Sequence, residues 1–555
     1  MVSQKPKFVI IGAGIAGLAA ANKLYTTQNS NELFELCVVE GGNRIGGRIF
    51  TSEFCGDKIE IGATWIHGIE GNPIYKIAKE TNSFESDQPW ECMEGKCMDK
   101  KVTITEDGHE INSSFVNTIS SFFNEMLDFS SGERNLENEV CRDFLEKFNL
   151  ENGGIEKNLS IGSFLREGLD FYLRKDQENV EVFENWSKKS LEEGVFSMLE
   201  NKHRHYSAAG DLSTLDFNAE SEYCDFPGDE IVIAKGYSKV IESLASVLPA
   251  GLIQPGRKVA KIEWQSGDSC LNLKNEDSTK PVKLHFGDGS VMCADHVIVT
   301  VSLGVLKQGI HDDDFGLFSP PLPKFKNEAI SRLGFGVVDK LFLQLSPNHD
   351  ENIDKLFLQL SPNHDENVGY DGMNFPHMQL VFHKPDAKVS QPKIPSWIRK
   401  TALLHPIYPK SSVLLSWFAG EEAIEMETLD DEEIMDGVLT TISQFLANSK
   451  HFKKSNFAEE RESCIKFTKI LKCKWGTDPL FLGSYSYIAV GSSGDDLDAL
   501  AEPLPNGNLQ NYPQLQVLFA GEATSRTQYS TTHGAYLTGL REANRLLEHF
   551  QCVDV

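Results

Sequence analysis

The sequence predicts an α/β fold in which a Rossmann-like nucleotide-binding unit is interleaved with a second domain. Three observations predict it. A glycine-rich turn, Gly12-Ala-Gly-Ile-Ala-Gly17, follows a short apolar run. An acid, Glu40, ends the next β-prone segment. A second glycine-bearing half-site, Phe519-Ala-Gly-Glu-Ala523 with Ser530-Thr-Thr-His-Gly534, lies near the far end of the 555-residue chain. Two distant segments that suit one cofactor bring the ends of the chain together, a pattern that favours a flavin over a nicotinamide.

The elements follow in order. Residues 8–11 are apolar and β-prone, as a buried parallel strand requires. Gly12 permits a tight turn, Gly14 lets backbone approach a pyrophosphate, and Gly17 allows close helix–strand packing. A helix from about Ile15 points its positive N-terminal end at that phosphate. Residues 35–39 form the second strand, and Glu40 at its end suits ribose hydroxyls. Arg44 and Arg48, around two glycines, offer guanidinium donors to phosphate. Residues 115–210 read mainly as helices. Strands return at 230–233 and 296–301, with a β-excursion over 251–262 between them, and a helix spans 430–448. The cofactor domain is expected from 1–85, 225–305 and 460–555, and the substrate domain from 86–224 and 306–459. Residues 339–353 are copied almost unchanged at 354–368, differing only at Ile353 and Val368. Two units do not make a solenoid. One copy is expected to fill a strand and the other to form a surface loop.

Composition narrows the function. No run of 18 apolar residues occurs, so no membrane span is expected. The strand beginning near residue 8 leaves no room for a signal peptide, and the C-terminus is not a Ser-Lys-Leu address, so a cytoplasmic setting is expected. The eleven cysteines lack metal-ligand spacing and read as reduced thiols. Asn112, Asn158 and Asn185 then match the glycosylation pattern by chance. A formal net charge of −28 disfavours nucleic acid and anionic membranes. It serves solubility, or steers a polycationic substrate.

At Glu60-Ile-Gly-Ala-Thr-Trp-Ile-His-Gly68 and Gly71-Asn-Pro-Ile-Tyr75 the chain resembles the flavin-dependent polyamine oxidases. The likeness continues through Val299–Lys307, Leu333-Gly-Phe-Gly-Val-Val-Asp-Lys-Leu-Phe-Leu343, Lys474-Trp-Gly476, Gly483-Ser-Tyr-Ser-Tyr487 and the C-terminal half-site. It implies FAD as cofactor, with Glu40 at the adenosine ribose. It sets Arg48, Thr64 and Trp65 on the flavin side, Val259 by the adenine and Trp475 near the ring system. Glu522 and Thr531 are implied along the ribityl–pyrophosphate stretch, and Thr532 beside the ring. The family's catalytic lysine corresponds to Lys340, preferred over the duplicate Lys355 because its upstream context is the family's. His67, Tyr485 and Ser530 correspond to pocket residues. Glu200, Glu222 and Glu230 are candidate substrate carboxylates, although a glutamate in so acidic a chain is usually a solvated face.

The resemblance implies two-electron oxidation of a secondary amine of a polyamine, with reoxidation by dioxygen. A monoamine oxidase holds its flavin through a cysteine in the segment matching Gly483–Tyr487. None occurs here, so non-covalent FAD is expected. The long insertion of lysine-specific histone demethylases has no counterpart. An acetylpolyamine oxidase is the nearest alternative. Relatives that chaperone small GTPases are disfavoured by Glu40, Arg48, Lys340 and Glu522. A monomer or weak dimer is expected.

Overall fold

The computed structural model describes residues 5–86, 88, 101–132, 136–152, 158–175, 180–265, 280–311, 316–346, 375–384, 394–408, 411–447, 465–505 and 514–550. Its organising element is a five-stranded parallel sheet, in the order Ile253–Gln254, Glu35–Val39, Lys7–Ile11, His296–Val299, Val517–Phe519. The central strand pairs Phe8–Ile11 with His296–Val299 on one side and with Leu36–Val39 on the other. Val9, Ile10, Val38, Val297 and Leu518 are fully buried. Apolar side chains on both faces explain the unbroken hydrophobic runs, because helices and loops cover such a sheet on both sides.

The helix Ile15–Thr26 leaves the first strand directly after the glycine turn. Gly17 is required there: a Cβ would lie 2.0 Å from the Gly12 carbonyl oxygen and 3.2 Å from Ile10. The C-terminal helix Thr532–His549 crosses it so closely that a Cβ on Gly539 would lie 2.1 Å from the Ala16 carbonyl. The apolar cluster that includes Ala16, Ala20, Ala543 and Leu546 fastens the end of the chain to its beginning.

A six-stranded mixed sheet forms the other half, in the order Phe467–Lys472, Val338–Leu345, Val413–Ala419, Leu403–Pro406, Met378–Val381, Val102–Thr105. The strand Phe467–Lys472 joins this sheet, whereas the sequence-based division groups it, within residues 460–555, with the cofactor domain. It pairs with Val338–Leu345 because its register completes that strand's second edge. Only tertiary pairing, not local pattern, decides which sheet such a strand joins.

In Val338–Leu345 all but Gln344 are buried. Side chains alternate across a strand. Leu341, Leu343 and Leu345 enter one core, while Phe342 joins Ile59, Ile61 and Trp475 on the opposite face. Lys340 is cross-strand to Trp417. Residues 347–368 lie outside the described residues, so the expectation for the second copy, Lys355 included, does too. Helices Ser113–Ser130, Glu139–Asn152, Ile161–Lys175 and Lys188–Ser207 pack a phenylalanine-rich core beside this sheet.

Candidate active site

A cavity of about 670 Å³ is walled by residues of both sheets. On the side of the parallel sheet its wall is backbone-rich. Gly12 (φ +104°) leaves no space for a side chain, since a Cβ would lie 2.4 Å from Oγ1 of Thr300. Gly14 heads the first helix without a side-chain cap, so amides of the first turn stay open. Glu40 accepts from the Ala13 amide through Oε2 and from the Gly42 amide through Oε1, both at 2.7 Å. Trp65 and Val259 line the cavity from short strands.

Arg48 and Glu522 join the two half-sites. Nη1 of Arg48 donates to Oε1 of Glu522 at 2.8 Å and to the Ser484 carbonyl at 2.8 Å. The other carboxylate oxygen of Glu522, a buried residue, accepts from the Ser530 amide at 3.0 Å and from the Ser486 hydroxyl. This holds Ser530 in a left-handed conformation (φ +66°) on the cavity wall. Thr531 caps the C-terminal helix, its Oγ1 accepting from the Gly534 amide at 2.9 Å. The hydroxyl of Thr532 bonds that of Tyr237.

Lys340 is 3 % exposed and opens onto this cavity. Its Nζ donates to the Glu60 carbonyl at 2.7 Å, the Gly62 carbonyl at 2.6 Å and Oγ1 of Thr64 at 2.6 Å. The Trp417 ring centroid lies 4.5 Å from Nζ. Burial pulls the ammonium down to about 8, against the opposing charge of Glu60. Burial likewise pushes the Glu60 carboxyl up to about 7, even though it accepts from the Tyr237 amide. Trp475 stands beside them, its Nε1 donating to the Ile61 carbonyl at 3.3 Å.

His67 and Glu230 form a second polar group on the wall, with Nδ1 to Oε1 at 2.7 Å. Burial lowers the His67 pKa, but the hydrogen bond and charge of Glu230, with the charge of Asp225, outweigh it and leave the pKa raised. The hydrogen bond from His67 holds Glu230 below its ordinary value. Tyr485 also lines the cavity, its hydroxyl donating to the His205 carbonyl.

Four sequence candidates do not reach the wall. Gly17 acts through packing alone. Arg44 turns back onto the Phe50 ring, 4.2 Å from its centroid, and donates to the Ile45 and Ile49 carbonyls. Glu200 sits on the helix Lys188–Ser207, whose residues Lys202, His203, His205, Tyr206 and Ser207 line the cavity while Glu200 does not. Glu222 pairs with Arg526 at 2.9 Å, beside Asp495 and Asp498.

Sequence reasoning missed Trp417, Asp225 and four wall histidines, His203, His205, His377 and His405. Burial lowers His203 to about 4 and His205 to about 3, so both are neutral. Only cross-strand register could have found Trp417, because no local motif marks it. Asp339, directly before the lysine, was also missed. It accepts from the Trp475 amide at 3.1 Å, while Glu427 accepts from the Gly476 and Thr477 amides at 2.7 and 2.9 Å.

Among the described residues, no cluster of histidine, cysteine and carboxylate suits a metal ion, and no helix is long and apolar enough to cross a membrane.

Residues 15–547 match the model of the family described as flavin containing amine oxidoreductase. The chain is 52 % identical to probable polyamine oxidase 5 of Arabidopsis thaliana, over 99 % of this chain and 100 % of that one. It is 31 % identical to the peroxisomal N(1)-acetyl-spermine/spermidine oxidase of Homo sapiens, covering 98 % and 95 % of the two chains. A solved structure of putrescine oxidase bound to putrescine superposes with a TM-score of 0.60 at 15 % identity, covering 98 % and 99 % of the two chains. That likeness is one of fold.

Proposed function

The chain belongs to the flavin-containing amine oxidoreductases, as an FAD-dependent polyamine oxidase, and we propose that it oxidises a secondary amine of spermine to give spermidine, 3-aminopropanal and hydrogen peroxide. The observation that carries this reading is one cavity that holds both a buried lysine under an aromatic face and the separate His67–Glu230–Asp225 group. The first suits a reacting amine and the second a distant ammonium.

The donor set fits FAD. Open amides at Gly14 suit a pyrophosphate, and Glu40, held by two amides, keeps lone pairs for ribose hydroxyls. Arg48, Thr531, Thr532, Trp65, Val259 and Trp475 would hold the rest, with Glu522 fixing Arg48. The segment 483–487 has no cysteine, so we propose non-covalent binding. When bound, FAD accepts two electrons from the carbon next to the amine and passes them to dioxygen.

The chain's own residues orient and dry the amine. Glu230 and Asp225 attract a terminal ammonium and so fix which carbon reaches the reacting position. Trp417 and Tyr485 give an aromatic wall that excludes water and favours the uncharged amine. Ser530 offers a polar contact. Water then hydrolyses the imine.

A second reading, oxidation of an N1-acetylated polyamine, draws on one observation. Glu200 and Glu222 do not line the cavity, whereas Lys101 and Lys202 do. Fewer carboxylates and two ammonium groups favour a substrate with less charge. Peroxide release by the purified protein, compared for spermine, N1-acetylspermine and spermidine at equal concentration, distinguishes the readings. Preference for spermine is expected. Preference for the acetylated amine overturns the first reading in favour of the second.

A further inference from the structure

An ammonium has three N–H donors and no acceptor. Lys340 directs all three at protein atoms, the Glu60 and Gly62 carbonyls and Oγ1 of Thr64. Two of these partners can only accept. When Lys340 loses a proton, its amine still donates to the two carbonyls, and its lone pair must face the remaining partner. That partner, Thr64, is the one that can also donate. Thr64 lines the cavity, and its hydroxyl's own contact to the Gly62 carbonyl is long, at 3.4 Å. The Trp417 face covers Lys340 on a further side.

We propose that Thr64 is the proton relay between Lys340 and the substrate amine, so that Lys340 acts on the substrate through this hydroxyl. The inference rests on the reading that Lys340 takes part in amine oxidation. In the step, the N–H bond of the substrate's secondary ammonium breaks as an O–H bond forms on Oγ1 of Thr64. The original hydroxyl proton of Thr64 passes to the lone pair of uncharged Nζ. The substrate is left as the free amine and Lys340 as the ammonium, with charge conserved. The proton returns to water through the same hydroxyl once the cavity empties.

The surroundings keep Lys340 able to change state. Burial lowers its affinity for a proton, and the charged or titratable groups facing it are Glu60 and Cys473. The Cys473 thiol is pushed up to about 12 by burial and stays neutral. The Glu60 carboxylate is held by Thr51 and the Tyr237 amide, and Glu60 meets Nζ through its carbonyl instead.

The test is the rate of anaerobic flavin bleaching by spermine against pH in Thr64→Val, Thr64→Ser, Lys340→Met and the double variant Thr64→Val/Lys340→Met. Flavin content and absorbance check folding. Thr64→Val is expected to be about 10²-fold slower, the scale of general base catalysis, with a flattened pH profile. Thr64→Ser restores both. The double variant is no slower than the slower single variant, because the two residues act in one path. Multiplied losses overturn the relay. So does a normal rate for Thr64→Val beside a slow Lys340→Met. A normal rate for Lys340→Met overturns the relay together with the role of Lys340 on which it rests. Calorimetry of an unreactive secondary amine in two buffers gives a readout apart from turnover. The wild type releases fewer protons on binding than Thr64→Val, and equal release overturns the relay.

Discussion

Among the described residues, Lys340 has no carboxylate within hydrogen-bonding range, and its charge rests on two carbonyls, a hydroxyl and an aromatic face. A buried charge held by neutral dipoles is costly and sensitive to change. Lys340→Met is expected to slow flavin reduction by about 10²-fold, while Lys355→Met leaves it within error. Stopped-flow bleaching of both variants checks this, and equal effects would assign the function to the second copy. His67 gives a pH prediction at the same scale. Its pKa is raised above 6.5, so at low pH the imidazolium occupies Glu230. As pH rises through that raised value the proton leaves and Glu230 is released to an ammonium. KM for spermine should therefore fall with pH across this window, and Glu230→Gln should abolish the change.

Elements hold these residues where sequence alone does not. The turn after the first strand depends on Gly17, whose Cβ would meet backbone that cannot yield. Gly17→Ala is expected to cost about 1–3 kcal/mol, read as a lower melting temperature and weaker flavin retention. The segment 475–477 hangs from Asp339 and Glu427. Burial and the neighbouring Glu427 push Asp339 far above its ordinary value, up to about 9. A carboxyl whose folded pKa is raised stabilises fully below its unfolded value and loses that contribution as pH rises through the folded one. The wild type should thus lose stability from about pH 4 toward pH 9, and Asp339→Asn should lose less; thermal melts at pH 6 and pH 9 compare them. The glycine turn, Glu40 and both first strands were legible, because steric and dipolar demands there are local in the chain. Glu222 was not, since an ion pair with Arg526 holds it, and no local pattern told that Glu200 stays off the wall. Trp417 and Asp339 were hidden because cross-strand register carries no local signature.

At the scale of the molecule, a net charge of −28 sets a field that draws polycations. If it speeds capture, kcat/KM for spermine should fall between about 0.05 M and 0.5 M salt while kcat stays nearly constant, since screening shortens the Debye length. Steady-state kinetics across that range test it, and a flat response leaves the charge to solubility. The order of the parallel sheet has a consequence for biosynthesis. Its central strand Lys7–Ile11 is made long before the edge strand Val517–Phe519 and the helix Thr532–His549. The cofactor half therefore cannot close until residues 517–549 have been made, and FAD is expected to load only after that point. Nascent chains arrested before residue 517 should emerge without bound flavin.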